Sequence, residues 1–292
     1  MNKSIRAILV VLLAIGVCPS VALETTEPTA ESNLTRQGQQ AIQSNTLTAG
    51  FADAAKDADS GESQDSKFVS LFDGSSLSGW IGDKPYWSVR DGVIVGEITP
   101  ETLIKKNRFL IYQGKIQKDF ELIAEYRISQ QGNSGINYRS ELVEGIDFHA
   151  LRGYQCDIDG QNRYTGSNYE ERGRTTLASI GESMVIPSIK ASEKLMHVKR
   201  NRWTVGVRQR SIAPASELRK GIKDSKWNEV RIVAKGNVLE HYVNAQLMSK
   251  VIDEDEANRK FEGRLGVQVH VGPPMTVEYR NLRVRPLSSA KD

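Results

Sequence analysis

Four short segments of the sequence alternate apolar residues with charged or amide residues. They read FELIAEYRIS from Phe120, GINYR from Gly135, GYQCDID from Gly153 and LGVQVHV from Leu265. A β-strand points successive side chains to opposite faces, so burying the apolar face leaves the polar face outside the core. The polar set is Glu125, Arg127, Asn137, Arg139, Gln155, Asp157, Gln268 and His270. Histidine and carboxyl groups transfer protons and arginine binds anionic oxygens, so this set indicates acid/base chemistry or recognition of a polar ligand.

The elements that carry these residues are short strands. From Lys67 onward, apolar runs of strand length are separated by turn signals such as Asp91-Gly92 and Gly236-Asn237. Only residues Ala213 to Ile222, with Pro214 near the start, have a helical pattern. The sequence therefore predicts an all-β domain over residues 67–287, a two-sheet antiparallel sandwich with one short helix, followed by a tail at 288–292.

The N-terminal residues predict export. Lys3 and Arg6 precede an apolar run over residues 7–17, and the small residues Ser20 and Ala22 follow. This is the pattern of a signal peptide over residues 1–22, with cleavage near Ala22, and its apolar run is too short to span a bilayer. Residues 23–66 are polar and poor in aromatic residues, which predicts a disordered linker. We expect a periplasmic or extracellular protein without a membrane segment in its mature chain.

Composition narrows the classes of partner. The net charge is +3 and falls to about +1 when the signal peptide is removed, so a general attraction to nucleic acid is not expected. The mature chain has a single cysteine, Cys156, and no Cys/His metal spacing, Walker loop or Ser-His-Asp signature. Residues 190–226 carry 11 basic and three acidic residues, a segment predicted as an inserted hairpin plus the short helix. Its charge indicates a solvated face or a contact with acidic glycan or phosphate.

Several stretches resemble the 3-keto-disaccharide hydrolase family, formerly a domain of unknown function. They include FVSLFDG from Phe68, WSVRDGVIVGE from Trp87, DFELIAEYRI from Asp119 and GRLGVQVHVGPPMTVEYRNLRV from Gly263. The resemblance implies a concanavalin A-like jelly roll. It also implies cleavage of glycosides with a ketone at C3, by elimination across C1 and C2 and hydration of the resulting glucal. Many members carry Gly-Tyr-Glu-x-Gln where this sequence has Gln155 and Asp157, which leaves the substrate open.

This reaction assigns roles to the polar set. The C3 ketone makes the C2 proton acidic, so the site needs a base at C2, a donor at the enolate oxygen and an acid at the leaving oxygen. We expect His270, Asp157, Arg139 and Glu125 to be catalytic, with Arg139 at the enolate. Substrate binding is expected from Gln155, Gln268, Asn137 and Arg127. No cofactor is predicted, although a divalent metal near Asp157 is an open alternative. Residues 169–172 are predicted as a surface loop or a loop over the cleft.

Two other functions agree with the same sequence. A carbohydrate-binding module of this fold would use the amide residues without proton transfer, because a fold does not determine a function. A structural protein of the envelope would use these residues neither for sugar binding nor for proton transfer. The expected partner in the first two cases is a glycoside or oligosaccharide, and the two cases differ in whether His270 and a carboxyl group converge in one cleft.

Overall fold

Seventeen β-strands, two short α-helices and two 3₁₀ turns occur in the part of the chain that the computed structural model describes, residues 67–203 and 205–288. The strands are β1 (Val69–Ser70), β2 (Trp80–Gly82), β3 (Trp87–Arg90), β4 (Val93–Ile98), β5 (Arg108–Tyr112), β6 (Phe120–Ile128), β7 (Asn133–Leu142), β8 (Leu151–Asp159), β9 (Asn168–Glu171), β10 (Thr175–Ala178), β11 (Glu182–Ile186), β12 (Val207–Ser211), β13 (Asn228–Lys235), β14 (Val238–Val243), β15 (Gln246–Asp253), β16 (Arg264–Val269) and β17 (Met275–Pro286). The helices are α1 (Ala191–Lys199) and α2 (Ala215–Arg219). The predicted signal peptide and linker, and residues 289–292 of the predicted tail, lie outside the described residues.

The strands form two sheets, as the sequence predicted. The order of the larger sheet is β12-β11-β15-β14-β13-β6-β17-β4-β3, with β1 also paired to β17. The order of the seven-stranded sheet is β10-β9-β8-β7-β16-β5-β2. All strand pairs in the described residues are antiparallel except β11 with β15, which is parallel and departs from the prediction.

The core lies between the inner faces of the two sheets, and alternation along the strands determines its membership. The predicted inward residues are buried in one apolar cluster: Phe120, Leu122, Ala124, Tyr126, Ile128, Ile136, Tyr138, Tyr154, Cys156, Ile158, Val267 and Val269. Val271 was also expected in the core, but it is 40% exposed because β16 ends at Val269. The chain therefore leaves the sheet after Val269, and strand alternation no longer determines where the side chains of His270 and Val271 point.

The basic segment, residues 190–226, differs from the predicted inserted hairpin: among its described residues it has one strand, β12, whose partner β11 precedes the segment. The predicted helix over Ala213 to Ile222 is α2, which begins directly after Pro214. A second helix, α1, lies upstream, and β12 pairs with β11 at the edge of the larger sheet. Within residues 67–203 and 205–288 no helix has the length and apolar character needed to cross a membrane.

Candidate active site

A cavity of about 320 Å³ lies over the outer face of the seven-stranded sheet. Its walls come from β7 to β10, from the segments next to β5 and β16, and from loops that follow β8 and α1. The lining residues are Asn107, Asn133, Gln155, Asp157, Tyr164, Tyr169, Glu171, Thr176, Asn201 and His270. Every one of these described residues has a polar side chain, and none is lysine or arginine. The lining suits a neutral ligand rich in hydroxyl and carbonyl groups.

The part of the lining contributed by β8 is set by strand alternation and by a glycine on the neighbouring strand. Gln155 and Asp157 are the outward residues of β8, and Asp157 lies opposite Gly135 of β7. A Cβ atom at Gly135 would lie 2.5 Å from the Gln155 side chain. Glycine therefore makes room for Gln155, whose Nε2 donates a hydrogen bond to Asp157 Oδ1 at 2.8 Å.

The environment of Asp157 favours its neutral, protonated form. Loss of hydration raises its pKa to about 8, and the neighbouring carboxyl groups of Glu171 and Asp159 act in the same direction. The hydrogen bond from Gln155 opposes this shift but is the smaller effect. At neutral pH Asp157 is therefore mainly a carboxylic acid with a proton to donate.

Glu171 is a second carboxyl group in the same cavity. It is the last residue of β9, and Gln268 Nε2 donates to its Oε2 at 3.2 Å. Burial raises the pKa of Glu171, while Arg172, Gln268 and Asn107 partly offset the shift. Two carboxyl groups with raised pKa values in one cleft are a recognised mark of a functional site.

His270 is held in a single neutral tautomer. Its Nδ1 lies 2.6 Å from the carbonyl oxygen of Val271, which can only accept, so Nδ1 carries the proton. The backbone N–H of His270 donates to the carbonyl of Asn133 at 3.2 Å and fixes the residue at the cavity wall. Burial lowers the pKa of His270, so the imidazole is neutral at pH 7. Its Nε2 then has a free lone pair, as a general base requires.

On the outer face of the same sheet, three amide side chains keep hydrogen-bonding atoms without a partner among the described residues. The atoms are Nδ2 and Oδ1 of Asn137, Oε1 of Gln155 and Oε1 of Gln268. Buried amide groups are usually hydrogen-bonded, so unsatisfied ones require an explanation. Gln155 lines the cavity, whereas Asn137 and Gln268 are fully buried within the sheet face. Of these predicted binding residues, Gln155 is therefore the one in direct reach of a ligand.

Arg139 does not line the cavity, contrary to the prediction. Its φ of +45° and the change of register between Tyr138 and Glu141 mark a bulge that breaks the alternation of β7. The buried guanidinium donates instead to the carbonyl oxygens of Lys118 at 2.6 Å and Gly236 at 2.7 Å. Arg139 therefore ties loops together at the other end of β7 and cannot clamp a ligand beside His270.

Glu125 and Arg127 are also outside the cavity. They do leave the core face of β6, as alternation predicted, but β6 belongs to the larger sheet and the core separates them from the cavity. Glu125 accepts from Arg280 Nε at 2.8 Å, and Arg127 Nη2 donates to Glu278 at 2.8 Å. Both predicted assignments are corrected, because alternation within a strand does not reveal which sheet contains it.

The structure adds residues that the sequence pattern does not place in the site. Asn107, Asn133 and Asn201 line the cavity from segments at strand or helix ends, where no periodic pattern identifies them. Residues 169–172 form the end of β9 and the following turn, so they belong to the sheet and not to a surface loop. Alternation in β9 is the signal that points Tyr169 and Glu171 to one face.

No group of three or more His, Cys, Asp or Glu residues with the arrangement of a metal site occurs within residues 67–203 and 205–288.

Comparison with known proteins gives a match over most of the chain. The family profile described as a 3-keto-alpha-glucoside-1,2-lyase-like domain matches residues 67–285. A Bacteroides thetaiotaomicron protein described as a 3-keto-disaccharide hydrolase is 34% identical over 87 residues. That local match covers 27% of this chain and 30% of the relative.

Solved structures that match the chain include two Bacillus subtilis proteins. A Bacillus subtilis protein of unknown function with a galectin-like fold has a TM-score of 0.47 at 10% identity, over 73% of this chain and 92% of its own. The carbohydrate-binding module CBM66 from Bacillus subtilis has a TM-score of 0.42 at 13% identity, over 70% and 93% of the two chains.

Proposed function

Because the chain belongs to the family of 3-keto-alpha-glucoside-1,2-lyase-like domains, we propose that it is an enzyme that cleaves glycosides carrying a ketone at C3. The reaction is elimination across C1 and C2 followed by addition of water, with net hydrolysis. The observation that carries the proposal is the pairing, in one cavity, of a neutral imidazole with a free Nε2 and a protonated carboxyl group. These are the base and the acid that this elimination needs.

His270 is the proposed base. The ketone at C3 acidifies the C2 proton, and Nε2 of His270 removes it to give an enolate. A general base works best when its unprotonated form dominates at the working pH, and burial of His270 ensures this. The hydrogen bond from Nδ1 to the Val271 carbonyl steadies the imidazolium that forms.

Asp157 is the proposed acid. As the C1–O bond breaks, its carboxyl proton passes to the departing oxygen, so that an alcohol leaves and a C1=C2 double bond conjugated with the ketone remains. Asp157 is then a carboxylate and His270 an imidazolium. The carboxyl group of Glu171 raises the pKa of Asp157 and so disfavours the Asp157 carboxylate. Return of a proton to Asp157 is therefore favoured.

The same two residues complete the hydration. Water adds to C1, the carbon conjugated with the ketone, while the Asp157 carboxylate takes a proton from it. The His270 imidazolium, whose N–H proton exchanges with solvent, delivers a proton to C2. Both side chains recover their starting states, and the product is a free 3-keto sugar.

The enolate oxygen requires a hydrogen-bond donor, and Arg139 cannot supply it from its position among the loop carbonyls. Asn133 is the proposed donor, because it lines the cavity and its backbone is bonded to that of His270. A neutral amide donor stabilises a developing oxyanion when it is already oriented, as in oxyanion holes.

A binding module remains the second candidate function. The unpartnered Oε1 of Gln155 could accept a hydrogen bond from a hydroxyl group of a bound glycan without any chemistry. A module of this kind would bind a sugar with or without the C3 ketone and would release no product.

The test is incubation with a panel of 3-keto-disaccharides in D₂O. Elimination and rehydration place one deuterium at C2 of the released 3-keto sugar, whereas ordinary glycoside hydrolysis leaves C2 untouched. Product release with deuterium at C2 above the level of an enzyme-free control supports the proposal. Tight binding without release would establish the binding module, and release without enzyme-dependent deuterium would establish ordinary hydrolysis.

A matched pair of variants assigns the chemistry to this cavity. His270→Gln removes the proposed base and should abolish product release. Glu125→Gln changes a carboxyl group on the outer face of the larger sheet and should leave it unchanged. Equal rates in both variants would contradict the assignment.

Export is proposed as well, on the basis of the charged, apolar and small-residue pattern of residues 1–22. Expression in a Gram-negative host followed by N-terminal sequencing tests it. The mature protein should begin near Leu23 in the periplasmic or secreted fraction, and a full-length protein in the cytosol would contradict the proposal.

A further inference from the structure

A second cavity, of about 250 Å³, adjoins the first. Asn133 and His270 line both cavities, so the proposed base stands at the boundary between them. Asp157 lies opposite Gly135, two residues from Asn133 on the same face of the sheet, and is thus close to this boundary. A glycosidic bond placed there would have one sugar in each cavity.

The walls of the second cavity differ in chemistry. One wall is largely apolar and consists of Val271, Pro273 and Met275, which follow β16 or begin β17. The other wall is polar and includes Gln131, Gln161 and Arg163. A pyranose ring has an apolar face and a rim of hydroxyl groups, so the pair of walls matches a sugar better than an alkyl chain.

The polar wall is already ordered. Asp159 is buried, and its carboxylate accepts from the backbone N–H of Tyr164 at 2.9 Å and from Arg163 Nε at 3.1 Å. Arg219 of α2 donates to the carbonyl oxygens of Asn162 at 2.9 Å and Arg163 at 3.1 Å. A loop held in this way needs little further ordering when it binds a ligand.

Arg163 is the charged residue of this wall. Its Nε is bonded to Asp159, so within the described residues Nη1 and Nη2 are the donors left for a ligand. The side chain is 54% exposed and stays accessible from the cavity. Two parallel N–H groups of a guanidinium suit adjacent hydroxyl oxygens of a sugar.

We propose that the second cavity is the subsite for the leaving group, that it takes an intact pyranose ring, and that Arg163 determines this specificity. The inference rests on the proposed function, which places the 3-keto sugar in the first cavity. Asp157 then donates its proton at the junction of the cavities, where the glycosidic oxygen lies.

Binding of unoxidised sugars tests the subsite without catalysis. Calorimetric titration of the full-length protein with maltose, cellobiose and trehalose is compared with titration by the methyl and phenyl glucosides. At least one disaccharide should bind about tenfold more tightly than the matching methyl glucoside, the low end of what a hydrogen bond from a charged group contributes. Arg163→Ala should remove most of this difference and leave binding of the methyl glucoside unchanged.

Two further variants keep the test decisive. Gln161→Ala acts on the same wall, away from the Asp159 contacts, and should also weaken disaccharide binding alone. Arg90→Ala, on the larger sheet, should change neither the binding of the disaccharides nor the binding of methyl glucoside. Equal affinity for disaccharide and methyl glucoside, or a variant that weakens both equally, would overturn the subsite. Phenyl glucoside that matches the disaccharide and is insensitive to Arg163→Ala would overturn the specificity for a sugar.

The binding test and the cleavage test can fail separately. If 3-keto-disaccharides are not cleaved but Arg163→Ala selectively weakens disaccharide binding, the proposed function fails and the second cavity stands as a sugar-binding subsite whose specificity depends on Arg163. If they are cleaved and no selective weakening occurs, the subsite fails and the proposed function stands.

Discussion

Replacement of Asp157 by asparagine should slow the enzyme and stabilise the protein at the same time. Asparagine has almost the same shape, and its Oδ1 can still accept the hydrogen bond from Gln155. It cannot donate a proton to the leaving oxygen, so kcat should fall by about 10² to 10⁴, the usual contribution of a general acid. The substitution also removes a carboxyl group that stays protonated in the folded protein although it would ionise in the unfolded chain.

The expected gain in stability follows from the pKa of Asp157, which is raised from 3.8 to about 8. In the unfolded chain this group ionises from about pH 4 upward, while in the folded protein it stays protonated to about pH 8. Ionisation therefore favours the unfolded state, and wild-type stability decreases as the pH rises through this interval. A difference of one pKa unit between the folded and unfolded states corresponds to about 1.4 kcal/mol. The carboxyl group of Asp157 is only half-buried and retains some hydration, which reduces the effect. We therefore expect the free energy of unfolding of the variant to exceed that of wild type by about 1–3 kcal/mol.

The assay combines turnover with thermal melts of wild type and Asp157→Asn at pH 4, 7 and 9. The melting temperatures should differ little at pH 4 and should favour the variant at pH 7 and 9, by about 2–4 °C per kcal/mol for a domain of this size. Asp147→Asn, the same change on an exposed loop, serves as the control and should shift neither property. A variant that keeps turnover within threefold of wild type, or that melts lower at every pH, would refute the reasoning.

Three other predictions concern the remaining residues. The pH profile of kcat/KM should be bell-shaped, with a rise below about pH 6.5 as His270 loses its proton and a fall near pH 8 as Asp157 ionises; a flat profile from pH 5 to 9 would contradict both assignments. Arg139→Met should lower the free energy of unfolding in urea by about 2–4 kcal/mol because it leaves loop carbonyls unpaired, yet kcat of the folded fraction should stay within about twofold of wild type. Gly135→Ala should raise KM several-fold with less effect on kcat, because the added Cβ displaces the Gln155 side chain; an unchanged KM would show that Gln155 does not bind substrate.

Strand alternation was enough to predict the sandwich and the outward placement of two residues of the candidate site. Gln155 and Asp157 lie on the outer face of β8, as expected, because Tyr154, Cys156 and Ile158 compete for the core and fix the register. His270 also reaches the cavity, although β16 ends one residue before it. Its position depends on the hydrogen bond of its backbone with Asn133, a long-range contact that no local pattern reveals.

The errors in the predicted site have two physical causes. Arg139 lies at a bulge with positive φ, and one such residue reverses the faces that alternation assigns to the rest of the strand. Glu125 and Arg127 follow the alternation of β6 correctly but lie in the other sheet, because the order of strands is a property of the whole fold. Asn107 and Asn201 come from irregular segments, where neither periodicity nor turn chemistry predicts which way a side chain points.

The protonation state of Asp157 bears on the choice between an enzyme and a binding module. A site that only binds hydroxyl groups works with amides and with ionised carboxylates, which accept hydrogen bonds strongly. Here the fold places two carboxyl groups where both have raised pKa values, an arrangement that lowers the stability of the folded state at neutral pH. Such a loss is expected where a protein needs a proton donor that remains protonated near pH 7, and a binding module gains nothing from it. The electrostatics of the cavity therefore support the proposed acid/base role of Asp157 over simple recognition.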